Sequence, residues 1–140
     1  MEEPYMSRIG RVLMGVALTL AGIAGPAGAA RADATGAACE VTYRAFRYTG
    51  GFTAGITISN TGTVAIYGWT FRFPLDTSAT VVDMWNADLE SDTGTIVAHD
   101  LGWNADVLPG KAIDIGFRAD GTSGTPSSFT VNDLPCQVAA

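Results

Sequence analysis

Side chains that usually do chemistry are scarce in this chain. Of its 140 residues one is histidine (His99), one is lysine (Lys111) and two are cysteine (Cys39 and Cys136). One histidine cannot form a copper-binding histidine brace, and with two distant cysteines it does not make a zinc site. No Gly-x-Ser-x-Gly turn and no phosphate-cradling glycine motif occurs, so nucleophilic triads and nucleotide sites lack their parts. His99 reads as a surface residue on a strand, and no metal or cofactor is expected. Positive charge is scarce too: from Asp33 onward there are 12 acidic and 5 basic residues, a net charge of −7. Such a chain repels phosphate backbones and anionic lipid. Nucleic acid and membrane surfaces are therefore poor partners, and a neutral ligand is expected. The same region has no stretch with helical apolar spacing.

What is present divides into a leader and one domain. Arg8 and Arg11 precede the uncharged apolar run Val12 to Ile23, and small residues follow up to Ala34. Basic, apolar and small residues in that order read as a secretory signal peptide over residues 1–32, cut after Ala32 or Ala34, with Met6 as well as Met1 offering a start. The run is too short and too rich in glycine for a good membrane span. Residues 33–140 then form the exported, extracellular domain, with its core at 39–136 and no linker. Cys39 and Cys136 stand near its two ends, and in an oxidising environment an even count pairs, so a Cys39–Cys136 disulfide is expected.

The domain reads as strands throughout. Cys39, Val41, Tyr43 and Ala45 alternate with Glu40, Thr42 and Arg44, the period of a half-buried strand. Continued, that parity turns Phe46 and Tyr48 to the polar side, unless a bulge flips them inward. Phe52, Ala54, Ile56 and Ile58 form the next inward set, and Asn60-Thr61-Gly62 supplies a turn. Trp69 shares a face with Phe71 and Phe73 and belongs to the core. Trp85 falls in phase with Val81 and Asp83, opposite Thr80, Val82 and Met84, so it is expected to face water. Further strands are read over Leu89 to Asp92, over Thr95 to His99, through Ile113, Ile115 and Phe117, and from Phe129 and Val131 toward Cys136. Short strands separated by turn signals argue for an antiparallel sandwich or barrel.

One short pattern occurs twice, as Trp85-Asn86-Ala87-Asp88 and Trp103-Asn104-Ala105-Asp106. Each sets the largest apolar ring beside residues that favour loops and strand ends, so neither ring reads as core. An exposed indole calls for a flat surface to cover it. Asp88, Glu90 and Asp92 fall on one side of a strand, which is the raw material of a glycosidase acid/base pair. Alternating acids on an exposed face are more often simply solvated.

Gly51-Phe52-Thr53-Ala54, Asn60-Thr61-Gly62, Gly68-Trp69-Thr70, Gly102-Trp103-Asn104, Pro109-Gly110, Gly116-Phe117 and the terminal cysteines together resemble a bacterial family 2 carbohydrate-binding module, from Cys39 to Cys136. The resemblance implies an all-β, antiparallel β-sandwich of two sheets, immunoglobulin-like or of jelly-roll type. It also implies a non-catalytic role. The three exposed aromatics of such modules fall on Tyr48, Trp85 and Trp103, and their buried tryptophan falls on Trp69. The xylan-binding branch carries an arginine where this chain has Gly51, so the pattern resembles the planar branch, which favours crystalline cellulose and sometimes chitin. Where flanking amides are common, this chain aligns Gly55, Asp114 and Arg118. Asp114 and Arg118 share one side of a strand and either bond sugar hydroxyls or pair with each other, while Asn86 and Asn104 offer further polar contacts. The expected partner is an insoluble polysaccharide bound by a monomer. A small secreted hydrolase of the same polymer, or a fragment of one, is the alternative, and a protein-binding adhesion domain is a weaker third.

Overall fold

A computed structural model describes residues 38–139. The expected signal peptide, its cleavage site and the start of the exported domain lie outside those residues. Twelve strands run in chain order: β1 (Cys39–Tyr48), β2 (Gly51–Asn60), β3 (Ile66–Tyr67), β4 (Thr70–Pro74), β5 (Thr80–Trp85), β6 (Asp88–Ser91), β7 (Thr95–His99), β8 (Asp106–Val107), β9 (Ala112–Asp120), β10 (Thr130–Val131), β11 (Leu134–Pro135) and β12 (Gln137–Val138). One five-stranded sheet has the order β12-β1-β2-β9-β5, and a second the order β11-β10-β4-β7-β6. A two-stranded ribbon, β8-β3, accompanies them, which the two-sheet expectation did not include.

The sheets are held face to face by what the alternating pattern turns inward. Val41, Phe52, Ala54, Ile56, Ile58, Ile115, Phe117 and Ala119 come from the first sheet, and Phe71, Phe73, Ile96, Ala98 and Val131 from the second. Phe73 stacks on Phe117 across the two sheets at 5.6 Å, and Phe71 stacks on Phe129 at 5.7 Å. Each buried phenylalanine is worth about 1.5–3 kcal/mol, so this cluster dominates the sandwich's cohesion. Trp69, 3% exposed, joins the same core as the sequence implied.

Asn60 is a buried polar residue whose structural role the sequence reading missed. Its amide donates to the carbonyls of Val64 (2.9 Å) and Val107 (2.8 Å), and its Oδ1 accepts from Gly62 N–H at 3.0 Å. Every group is satisfied, so burial carries no desolvation penalty left unmatched.

The disulfide joins Cys39 to Cys136, with Cα atoms 4.7 Å apart. Just beyond it β12 lies parallel to β1, with Gln137 opposite Glu40 and Val138 opposite Val41. All other pairings are antiparallel, so the closing strand departs from the wholly antiparallel expectation. In the chain-entropy model a cross-link spanning so long a loop contributes roughly 4–5 kcal/mol.

Candidate functional site: an exposed aromatic face on the first sheet

The outer face of the first sheet is built on an unbroken register. β1 pairs with β2 from Cys39↔Asn60 to Tyr48↔Gly51 without a bulge, so Phe46 and Tyr48 keep the outward parity read from the sequence. Across the sheet the outward rows are Tyr48–Gly51–Asp120, Phe46–Thr53–Arg118–Asp83 and Arg44–Gly55–Gly116–Trp85.

Two glycines explain how the rings lie. Gly116 faces outward yet is buried, because the Trp85 indole covers it: a Cβ there would fall 2.5 Å from Cε2 and 2.7 Å from Cζ2. Gly51 is buried as well, though a Cβ there would first meet the backbone carbonyl of Ala119 and only then the Tyr48 ring, 3.1 Å from its Cε1. With no side chain beneath them, both rings lie down against bare backbone. Trp85 stays 47% exposed and Tyr48 49% exposed.

Trp85 reaches this face by a route that simple parity misses. The β5–β9 register shifts between Arg118 and Ala119, so Val82 is an extra residue; Val81 is buried while Asp83 and Trp85 face out. Val81 therefore does not share the Trp85 face, and Met84 packs on the core. A single bulged residue reverses the phase.

Trp103 is displayed by a loop rather than a strand, and it is 73% exposed. It borders a shallow depression with Asn86, Asn104, Ala112, Ile113 and Asp114, which places it beside the Trp85 end of the sheet. The loop is fastened at several points. Asp100 accepts from the N–H of Trp69 and of Gly102, both at 2.9 Å, and these bonds hold its carboxyl below the usual range. The Asp100-Leu101-Gly102 spacing that signals such an Asx turn was legible but unread. Trp69 Nε1–H donates to Asn104 O at 2.9 Å.

The repeated tetrapeptide proves to be a bracket. Asn104 is buried; its Nδ2 donates to Asn86 O at 2.7 Å and its Oδ1 accepts from Leu101 N–H at 2.8 Å. Both ends of its amide thus bond the fold, which ties the two tryptophan turns together. Asn86 has a φ of 63°, a conformation asparagine tolerates, and its Nδ2 donates to Asp114 O at 3.0 Å. It remains exposed at the edge of the aromatic face.

Asp114 and Arg118 both face outward, but they do not pair. Asp114 accepts from Thr57 Oγ1–H at 2.6 Å, and Arg118 lies 3.8 Å from Asp120. Thr57, directly across the strand pair, and Asp120, two positions along the same strand, are both nearer than a residue four positions along an extended strand, which spans roughly 13 Å.

The acids weighed for hydrolysis lie on the other sheet. The β6–β7 register shifts between Leu89 and Ser91, so Glu90 is bulged, and Asp92 lies beyond the strand. The simple alternation of Asp88, Glu90 and Asp92 is thereby broken. Glu90 bonds His99 Nε2, and Thr70 Oγ1 lies 3.0 Å from His99 Nδ1.

The family model for the cellulose binding domain matches residues 39–136. Exoglucanase B of Cellulomonas fimi is 38% identical over 104 residues, covering 73% of this chain and 10% of that protein. Chitinase C of Streptomyces lividans is 32% identical over 121 residues, covering 86% of this chain and 19% of that protein. The chitin-binding domain of Chi18aC from Streptomyces coelicolor matches with a TM-score of 0.59 at 28% identity, covering 71% of this chain and 94% of that domain. The cellulose-binding family 2 carbohydrate binding domain from ScLPMO10C matches with a TM-score of 0.54 at 25% identity, covering 65% and 93%. This chain thus spans a small part of the enzymes and almost all of the binding domains. Over residues 39–136 the chain belongs to the cellulose binding domain family, the family 2 carbohydrate-binding modules.

Proposed function

We propose that this is a secreted, non-catalytic, monomeric module that adsorbs to crystalline cellulose, with chitin as its second polymer, through Tyr48, Trp85 and Trp103. The observation that carries the reading is the pair of outward glycines, Gly51 and Gly116, that let Tyr48 and Trp85 lie down on one sheet face while staying half exposed. Glucose in β-1,4 linkage holds its hydroxyls around the rim and presents C–H groups on both faces. A ring laid flat covers such a face. Each large aromatic buries on the order of 150 Å², about 3–4 kcal/mol gross at 25 cal/mol per Å². Much of that is offset by desolvation and ordering, though a crystalline chain is already rigid and loses little entropy.

Gly51 also bears on which glycan. A side chain there would crowd the Tyr48 ring as well as the Ala119 carbonyl, and its absence lets the ring lie low on the sheet, which favours a flat lattice over a twisted chain. Relatives named as glucanases and chitinases, and neighbours named as cellulose- and chitin-binding domains, point to the same polymers. This chain matches only 10% of the exoglucanase and 19% of the chitinase but almost all of the two binding domains, which supports a binding role.

The test is a pull-down of the purified protein against washed crystalline cellulose, chitin and xylan side by side. Retention on cellulose, with loss in Trp85→Ala and Trp103→Ala at unchanged melting temperature, is the expected result. Equal retention on xylan, or sugar released from cellulose, would overturn the reading.

A further inference from the structure

Phe46 is 65% exposed on the same sheet face as Tyr48 and Trp85, two residues from Tyr48 along one strand. Isolated exposed apolar side chains need no explanation, but this one continues an aromatic surface. Its cross-strand neighbours differ from those of the two other rings. Tyr48 lies opposite Gly51 and Trp85 opposite Gly116, whereas Phe46 lies opposite Thr53. Thr53 has a side chain where Gly51 has none, so the Phe46 ring has no bare backbone opposite it to recline on.

The positions follow from the register. Tyr48 leans onto β2 and Trp85 onto β9, so their rings mark a track over the middle of the sheet. Phe46 stands on β1, between the Tyr48 and Trp85 rows along the strand direction and roughly 7 Å to the side of that track. Its row continues through Thr53, Arg118 and Asp83, all polar, so no other ring shares that row. A single sugar chain on the Tyr48–Trp85 track leaves Phe46 uncovered beside it.

We propose that Phe46 is a fourth binding ring, which contacts the neighbouring chain of an ordered polysaccharide surface, so that the module reads a sheet of parallel chains rather than one chain. The proposal rests on the reading of this face as a polysaccharide platform. It makes recognition depend on lattice order: Phe46 adds contact only where a second chain lies level with the first.

The experiment compares adsorption isotherms of the full chain, Trp85→Ala, Phe46→Asn and Phe46→Tyr on crystalline cellulose and on regenerated amorphous cellulose. Expected are a fivefold or greater loss of affinity for the crystalline form in Phe46→Asn, less than twofold change on the amorphous form, and recovery in Phe46→Tyr. Melting temperatures are measured alongside. Wild-type affinity for crystalline cellulose in Phe46→Asn, with Trp85→Ala impaired, overturns the role of Phe46 alone. Equal losses on both celluloses place Phe46 on the single-chain track and overturn the two-chain contact. A dimer in sedimentation that Phe46→Asn dissociates assigns the ring to self-association instead. If neither the wild type nor Trp85→Ala is retained, the platform reading itself fails.

Discussion

The indole N–H of Trp69 donates to the backbone carbonyl of Asn104 at 2.9 Å, so the buried tryptophan holds the loop that displays the exposed Trp103. Core and ligand face are thereby joined through one hydrogen bond. Trp69→Phe keeps a ring in the core and removes the donor. A loss of about 2–3 kcal/mol is expected from the unpaired carbonyl and reduced volume. Urea unfolding measures the loss, and the cellulose isotherm should weaken several-fold because the Trp103 loop loosens.

Asn104 fastens the two tryptophan turns to each other through Asn86 O and Leu101 N–H. Asn104→Ala leaves both backbone groups unpaired at a partly buried site, a cost of about 2–4 kcal/mol. Asn86→Ala removes one bond at an exposed site and should cost about 1 kcal/mol or less. Denaturant midpoints of the two variants rank these effects, and the opposite order would show that Asn104 does not brace the two turns.

Gly116→Ala places a methyl group where the Trp85 indole now rests. The ring must rise from the sheet, so adsorption to crystalline cellulose should fall about tenfold, which corresponds to about 1.4 kcal/mol. Tryptophan fluorescence quenching by a soluble quencher should increase in the same variant.

For the neutral polymer proposed as ligand, adsorption between low salt and 1 M sodium chloride should change less than about twofold; screening acts on charges, and the rings carry none. An isotherm that collapses in salt would indicate a charged partner.

Two titrations bound the stable pH range. Asp100, held below its ordinary value of 3.8 by the Trp69 and Gly102 N–H groups, contributes stability that is complete above that value and is lost as pH falls through the lower folded-state value. Acid should therefore loosen the Trp103 loop, and Asp100→Ala should flatten that part of the profile. Tyr43 runs the opposite way: burial pushes its phenol up to about 12, against a smaller lowering influence from Arg47. Its contribution is complete below pH 10 and is lost as pH rises toward about 12. Tyr43→Phe should remove the alkaline slope in thermal melts.

Much of this arrangement was legible because period-two alternation is a local signal. It placed Phe52, Ala54, Ile56 and Ile58 inside and Tyr48 outside, and the structure agrees. It mis-phased Val81, because the extra residue at Val82 shows only when β5 is laid against β9. The same limit applies to Glu90 in β6. Polar residues were hardest to assign. Asn60 and Asn104 have side chains suited equally to solvent, sugar or backbone, and only the fold decides which carbonyl they meet. The parallel last strand was hidden for a related reason: a strand of two residues carries no pattern that shows its direction.

The Cys39–Cys136 bond decides how the domain responds to a pull. Cys39 opens the first strand and Cys136 precedes the last, so tension applied between chain upstream of Cys39 and chain downstream of Cys136 passes through sulfur to sulfur. The loop of residues between them, with every strand that positions Tyr48, Trp85 and Trp103, lies off the line of force. A shear that would unzip an uncrosslinked sandwich from its termini leaves the aromatic face under no load from that source.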